Sequence, residues 1–176
     1  MKSALFLDRD GVINKEKNYL YKKDDFEFID GIFDLCHYYQ KRGYLIFVVT
    51  NQSGIARNYY SENDFLTLTE WMVQEFKKNN VDIAKVYYCP HHPEISGSCS
   101  CRKPNPGMIF DAARVFNIDL NSSVLVGDKE CDIEAGLNAG IGQTYLFSPD
   151  FSVKKSQATK IIKSFDEIWR DNANIK

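Results

Sequence analysis

The sequence predicts an α/β fold, a three-layer, mostly parallel sheet with helices on both faces. Three observations predict it. Short apolar runs with little alternation read as strands buried on both faces. Helix-period stretches separate them, as crossover connections would. Polar residues stand at the carboxyl ends of the runs, namely Asp8 and Asp10, Thr50 and Asn51, and Asp128. An open α/β sheet has its ligand crevice at those ends.

Taken in order, Leu5-Phe6-Leu7 is the first strand, ending at Asp8. The polar–aromatic stretch from Tyr19 to Ile29 is too short for a domain, and a small hairpin is expected there. Gly31 to Arg42 carries Ile32, Leu35, Cys36 and Tyr39 at helical spacing, with Gly43 as the stop. Leu45 to Val49 is a continuous apolar strand ending at Thr50. Ser61-Glu62-Asn63-Asp64 opens a long helix with a capping-type start, and Phe65, Leu68, Met72, Val73 and Phe76 form its apolar stripe. Lys85 to Tyr88 is a third strand. Residues 89–106, rich in Cys, Pro, Ser and Gly, read as a loop, and a helix follows from Pro106-Gly107 to Phe116. Val124-Leu125-Val126 is the fourth strand, Cys131 to Ala139 a short helix closed by Gly140, and Thr144 to Phe147 a fifth strand. Ile161-Ile162 and Phe165 to Trp169 supply a final strand and helix. The architecture is thus Rossmann-like, one domain over residues 1–176, with no stretch large enough for a cap domain and a cleft open to small molecules.

Composition narrows the function. The chain has 176 residues, of which 44% are hydrophobic and 26% charged, which is enough apolar side chain for a core. Lys plus Arg is 22 against 24 for Asp plus Glu, so the basic footprint of a nucleic-acid binder is missing. No apolar run approaches the roughly 20 residues of a membrane span. The apolar stretch near the start is too short for a signal peptide. A cytoplasmic location is therefore expected. In that compartment disulfides are rare, so five cysteines point to metal or chemistry.

Asp8 and Asp10 lie two residues apart where a strand meets its loop, and in extended chain such residues point the same way. Asp128 arrives from another strand end. Carboxylates sharing one crevice repel unless a cation sits among them, and a hard divalent ion, Mg²⁺ above all, suits oxygen ligands. Thr50-Asn51-Gln52-Ser53-Gly54 adds a hydroxyl, amides and a flexible backbone whose N–H groups can face an anion. Arg102-Lys103 adds two positive charges before a helix. Read singly, Asp10-Gly11 is a turn, Thr50 a strand-end cap and Lys103 a solvated charge. Together they form a set suited to phosphoryl transfer, which needs a metal, a nucleophile and donors to the equatorial oxygens.

This set resembles the haloacid dehalogenase-like phosphohydrolases. Their four signatures read here as Asp8-Arg9-Asp10-Gly11-Val12, Val49-Thr50-Asn51, Arg102-Lys103-Pro104 and Gly127-Asp128-Lys129, in order. The stretches Thr50 to Arg57, Tyr88 to Pro93 and Cys101 to Met108 resemble the heptose-bisphosphate phosphatase branch, whose neighbours are the histidinol-phosphate phosphatases. The resemblance implies a sugar-bisphosphate phosphatase of lipopolysaccharide or capsule precursor synthesis. Asp8 would be the nucleophile and Asp10 the acid and base. Mg²⁺ would sit on Asp8, the Asp10 backbone carbonyl and Asp128. Thr50 and Lys103 would hold the phosphoryl oxygens. Substrate recognition would fall to Glu16, Lys17, Asn18, Tyr19, Asn51, Gln52, Ser53, Arg102 and Lys129, with Asp132 as a supporting contact. Histidinol-phosphate hydrolysis is the alternative within the class. A zinc-stabilised phosphosugar-binding module without chemistry is the alternative outside it. A monomer is expected.

Three cysteines and two histidines fall within thirteen positions, from Cys89 to Cys101. Structural zinc takes four such ligands in a tetrahedron, whereas the spacing alone is also compatible with unligated thiols. The resemblance selects Cys89, His91, Cys99 and Cys101, and His91 over His92, for a structural Zn²⁺. Cys36 and Cys131 read as core or near-core thiols and His37 as an exposed helix residue. Trp71, Trp169, Phe65, Phe76 and Phe110 read as packing residues, and Lys154, Lys155, Lys160 and Lys163 as a solvated face.

Overall fold

A computed structural model describes residues 1–173; the last three residues of the expected 1–176 domain lie outside the described ones. The strands are β1 (Ala4–Leu7), β2 (Leu45–Asn51), β3 (Ile83–Cys89), β4 (Val124–Gly127), β5 (Gln143–Phe147) and β6 (Lys160–Ile162). They form one sheet in the order β3-β2-β1-β4-β5-β6, and every pairing is parallel. The helices are α1 (Ile32–Gln40), α2 (Glu62–Lys78), α3 (Pro93–Ser96), α4 (Gly107–Phe116), α5 (Glu130–Ala139) and α6 (Asp166–Ala173).

The period of two explains the layers. Along β1, Leu5 and Leu7 face a cluster with α1, α2 and α6, among them Leu35, Met72, Phe76 and Ile168. Ala4 and Phe6 face the opposite cluster, built on Met108, Ile109 and Ala112 of α4 and Ile133 and Ala135 of α5. Alternate residues of a strand buried against two helical layers must all be apolar, which is why the central strands β1 and β4 show no polar positions, whereas the edge strand β3 carries the exposed Lys85.

Helix ends follow the sequence signals. Ser61 caps α2 through a reciprocal capping box with Asp64. Gly140, in the left-handed region at φ 82°, closes α5. The order of the sheet reverses between β2-β1 and β4-β5, so the carboxyl ends of β1 and β4 flank the crevice where open sheets bind ligands.

Some local expectations are corrected. The stretch from Tyr19 to Ile29 forms a single 3₁₀ turn at Lys23–Asp25 and an isolated antiparallel bridge between Asn14 and Phe28, without a two-stranded hairpin. Its aromatic residues explain this, because Phe26 and Phe28 turn inward to pack edge-on against Trp71 and Phe76. The loop after β3 contains α3, begun by the His92 side chain and Pro93. Phe110, expected to pack, is 48% exposed on the outer side of α4. Cys131 is only half-buried and lines the cleft described below. No helix among the described residues is long and apolar enough to cross a membrane.

Candidate active site

At the carboxyl end of the sheet lies a cleft of about 250 Å³, lined by Asp8, Asp10, Glu16, Asn18, Tyr19, Thr50, Asn51, Gln52, Ser53, Arg102, Lys103 and Lys129. Gly54, Tyr60, Cys131 and Asp132 complete its wall. Asp128 borders the adjoining groove with Gly11 and Glu16. Lys17 turns away from the cleft and pairs with Glu27.

Lys103 is the electrostatic centre. It is 4% exposed, and its ammonium lies 2.7 Å from Asp8 Oδ1, from Asp132 Oδ1 and from the Val49 carbonyl. Those three contacts account for all its donors. Burial works against its charge, but Asp132 and Asp8 outweigh burial and raise its pKa. Asp8 is shifted well upward, chiefly by burial, with Lys103 opposing and Asp132 and Asp128 adding repulsion. Asp128 is pushed up to about 6, again by burial first, and then by Asp132 against the opposing pull of Lys129.

Asp8, Asp128 and Asp132 each offer an oxygen within 4.8 Å of the others. Asp128 Oδ1 is buried and has no hydrogen-bond partner among the described residues. Both oxygens of Asp132 are engaged, Oδ1 by Lys103 and Oδ2 by the Asp128 and Lys129 N–H groups. A hard divalent cation fits this set, because it would satisfy the orphaned oxygen and relieve the repulsion that adds to burial in raising Asp8 and Asp128. Gly11, at φ 90°, makes room for the Asp128 carboxylate. A Cβ there would lie 2.2 Å from Asp128 Oδ2.

The chain leaves the extended state at Arg9, whose carbonyl accepts from the N–H groups of Val12, Ile13 and Asn14. Asp10 therefore reaches the same cleft with its carboxylate outside the three-acid cluster. Its Oδ1 accepts from Arg9 Nε and Nη2 and from Asn14 Nδ2, and its Oδ2 accepts from Gln52 Nε2 at 3.0 Å. Arg9 is 1% exposed, a buried partner that sequence reading passed over because it lay between two candidate acids.

The polar residues after β2 point inward as well as outward. Asn51 bonds the backbone of Lys103 through both ends of its amide. Gln52, 2% exposed, bonds Thr50 Oγ1, Asp10 and the hydroxyl of Tyr60. On the rim, Lys129 reaches Glu16 at 3.1 Å and Arg102 donates to the His91 carbonyl. Asn18 and Tyr19 are consecutive left-handed residues, and the Tyr19 ring meets Tyr59 edge-on at 4.6 Å.

Beside the cleft, the sulfurs of Cys89, Cys99 and Cys101 and Nδ1 of His91 gather within 4.8 Å. Five of their mutual distances run from 3.1 to 3.6 Å. A tetrahedral zinc–thiolate site with bonds of about 2.3 Å has edges only slightly longer, about 3.8 Å, so the donors fit zinc. His92 is directed elsewhere, with Nε2 at 2.7 Å from Arg57.

Comparison with known proteins places the chain. A family model described as "HAD-hyrolase-like" matches residues 100–148. D-glycero-alpha-D-manno-heptose-1,7-bisphosphate 7-phosphatase of Campylobacter jejuni is 52% identical over 84% of this chain and 83% of its own length. D-glycero-beta-D-manno-heptose-1,7-bisphosphate 7-phosphatase of Pasteurella multocida is 45% identical over 96% and 95%. The crystal structure of D,D-heptose 1,7-bisphosphate phosphatase from B. bronchiseptica, complexed with magnesium and phosphate, superposes with a TM-score of 0.82, at 25% identity and full coverage of both chains. The chain belongs to the heptose-1,7-bisphosphate 7-phosphatase family of HAD-like hydrolases.

Proposed function

We propose that the protein is a Mg²⁺-dependent phosphomonoesterase that removes the 7-phosphate of D-glycero-D-manno-heptose 1,7-bisphosphate in nucleotide-heptose synthesis. The carrying observation is the buried carboxylate cluster with Lys103 seated on Asp8, found in a chain 52% identical to an enzyme named for this reaction. Relatives named for the alpha and the beta anomer match at similar identity, so the anomer at carbon 1 is left to the assay.

Asp8 and Asp128 would hold the metal together with the backbone carbonyl of Asp10, while Asp132 holds Lys103. Mg²⁺ supplies charge neutralisation at the phosphoryl oxygens when bound. An Asp8 carboxylate oxygen attacks phosphorus, forming an acyl phosphate as the bond to the sugar oxygen breaks. Asp10 gives its proton to that departing oxygen. The Asp10 carboxylate then takes a proton from water, whose oxygen attacks phosphorus, releasing inorganic phosphate and regenerating Asp8. Thr50 faces the phosphoryl group, while Lys103, its three hydrogens engaged by Asp8, Asp132 and the Val49 carbonyl, supplies positive charge beside it. Glu16, Asn18, Tyr19, Ser53, Arg102 and Lys129 form the sugar-facing rim.

Zinc on Cys89, His91, Cys99 and Cys101 is structural in this reading, since protein ligands fill all four positions. It would hold the segment leading into Arg102 and Lys103. The protein acts as a monomer in the cytoplasm, a setting that suits five cysteines without a disulfide among them. Phosphate release from both heptose anomers, histidinol phosphate and common sugar phosphates, with and without Mg²⁺, tests the proposal. Preference for histidinol phosphate, or no turnover on any substrate, overturns it.

A further inference from the structure

Gln52 lies at the meeting point of two catalytic groups; the Asp10 carboxylate decides which way its amide faces, and Tyr60 caps the other end. In its carboxylate form Asp10 can only accept, so the group 3.0 Å from its Oδ2 is the Gln52 NH₂. The second hydrogen of that NH₂ goes to Thr50 Oγ1 at 2.8 Å. Gln52 Oε1 is then left to accept, and the Tyr60 hydroxyl donates to it. The chain of donors therefore runs in one direction, from Tyr60 through Gln52 to Asp10 and Thr50. A reversed amide would set its carbonyl against a carboxylate. Because Thr50 Oγ1 accepts from Gln52, its own hydroxyl hydrogen is free to point at a phosphoryl oxygen.

Tyr60 is built into this place. It is 7% exposed and stacks on Tyr21 at 5.5 Å. Its ring lies so close to Gly54 that a Cβ there would sit 2.2 Å from a ring carbon. Gly54 is thus required for the approach of the tyrosine, in the same turn that supplies Thr50 and Gln52. Burial pushes the phenol up to about 12, which keeps it a proton-bearing donor.

We infer that Tyr60 and Gln52 are positioning residues that hold the Asp10 carboxylate and the Thr50 hydroxyl in register for phosphoryl transfer, with Gln52 acting through them and not on the sugar. The inference rests on the assignment of Asp10 as acid and base. Tyr60→Phe keeps the ring against Gly54 and Tyr21 and removes only the donor. It should lower kcat on heptose 1,7-bisphosphate about tenfold, with KM within twofold and the thermal midpoint near wild type. Gln52→Glu, which puts a second carboxylate against Asp10, should lower kcat at least as far at unchanged KM. Gly54→Ala should reproduce the Tyr60→Phe loss.

A double-mutant cycle separates positioning from packing. In an Asp10→Ala background, assayed by single turnover, Tyr60→Phe should cost clearly less than about tenfold, because only the route through Thr50 remains. Full, independent losses in both backgrounds overturn the inference, as does a rise in KM at unchanged kcat. Near-wild-type turnover of Asp10→Ala overturns this inference and the acid–base assignment together. A strongly impaired Asp10→Ala with independent losses overturns the positioning role alone.

Discussion

The side-chain amide of Asn51 clamps the backbone of Lys103: Oδ1 accepts from the Lys103 N–H at 3.0 Å, and Nδ2 donates to the Lys103 carbonyl at 3.1 Å. Residues far apart in the chain are thereby locked together where β2 ends, directly behind the ammonium that holds Asp8. Asn51→Ala should cost about 1–2 kcal/mol of stability, as two partly buried hydrogen bonds are lost. It should also lower kcat roughly tenfold. Steady-state kinetics check this, and a rise in KM alone would show that Asn51 contacts substrate instead.

Asp8→Asn should reduce turnover by about a thousandfold or more, since an amide cannot act as the nucleophile. Its thermal midpoint at pH 7 should not fall. The neutral side chain keeps an acceptor for Lys103 and relieves the repulsion from Asp132 and Asp128 that helps raise Asp8. Residual activity near wild type would remove Asp8 from the mechanism.

Lys103→Met tests the opposite balance. It leaves Asp8 and Asp132 buried without their shared counter-charge, at a cost of about 3–5 kcal/mol. The cost should be greatest at pH 7 and shrink toward pH 5, as Asp8, held above the usual carboxylate range chiefly by burial, takes up a proton. Denaturant melts at the two pH values measure it, and a pH-independent loss would contradict the electrostatic account.

Metal binding should depend on pH in a set direction. With Asp128 at about 6 against an ordinary 3.8, the metal-free folded state binds a proton before the unfolded chain does. Metal-free stability therefore rises as pH falls between those values. Protons compete with Mg²⁺ over the same range, so its apparent affinity should weaken about tenfold from pH 7 to pH 5. Calorimetric titration at several pH values checks the slope, and a flat profile would place the metal away from Asp128.

Purified protein should carry about one zinc per chain. Chelation, or Cys101→Ser, should lower the thermal midpoint and activity together, because Cys101 is joined directly to Arg102 and Lys103. Elemental analysis showing only a small fraction of one zinc would dismiss the site.

Much of this protein was legible in one dimension. Parallel strands buried on both faces must be apolar at successive positions, so Leu5–Leu7, Leu45–Val49 and Val124–Val126 announced the sheet. Ser61 with Asp64 announced the start of α2, because a capping box is local in sequence. The cleft residues Asp8, Thr50 and Lys103 could be found because they stand at strand ends or before a helix, where an open sheet gathers its ligands, whereas Lys129 came only from the family resemblance. The direction of side chains was decided only in three dimensions. Asp10 turns to Arg9 because the chain leaves the extended state at that point. Asn51 and Gln52 spend their amides on Lys103, Asp10 and Tyr60, partners brought near by the folding of distant segments. Tyr60 carried no motif, and Gly54 read as flexibility where it provides space. Periodicity and capping depend on neighbours along the chain and can be read there. Hydrogen-bond partnership and close approach depend on which segments the core packs together.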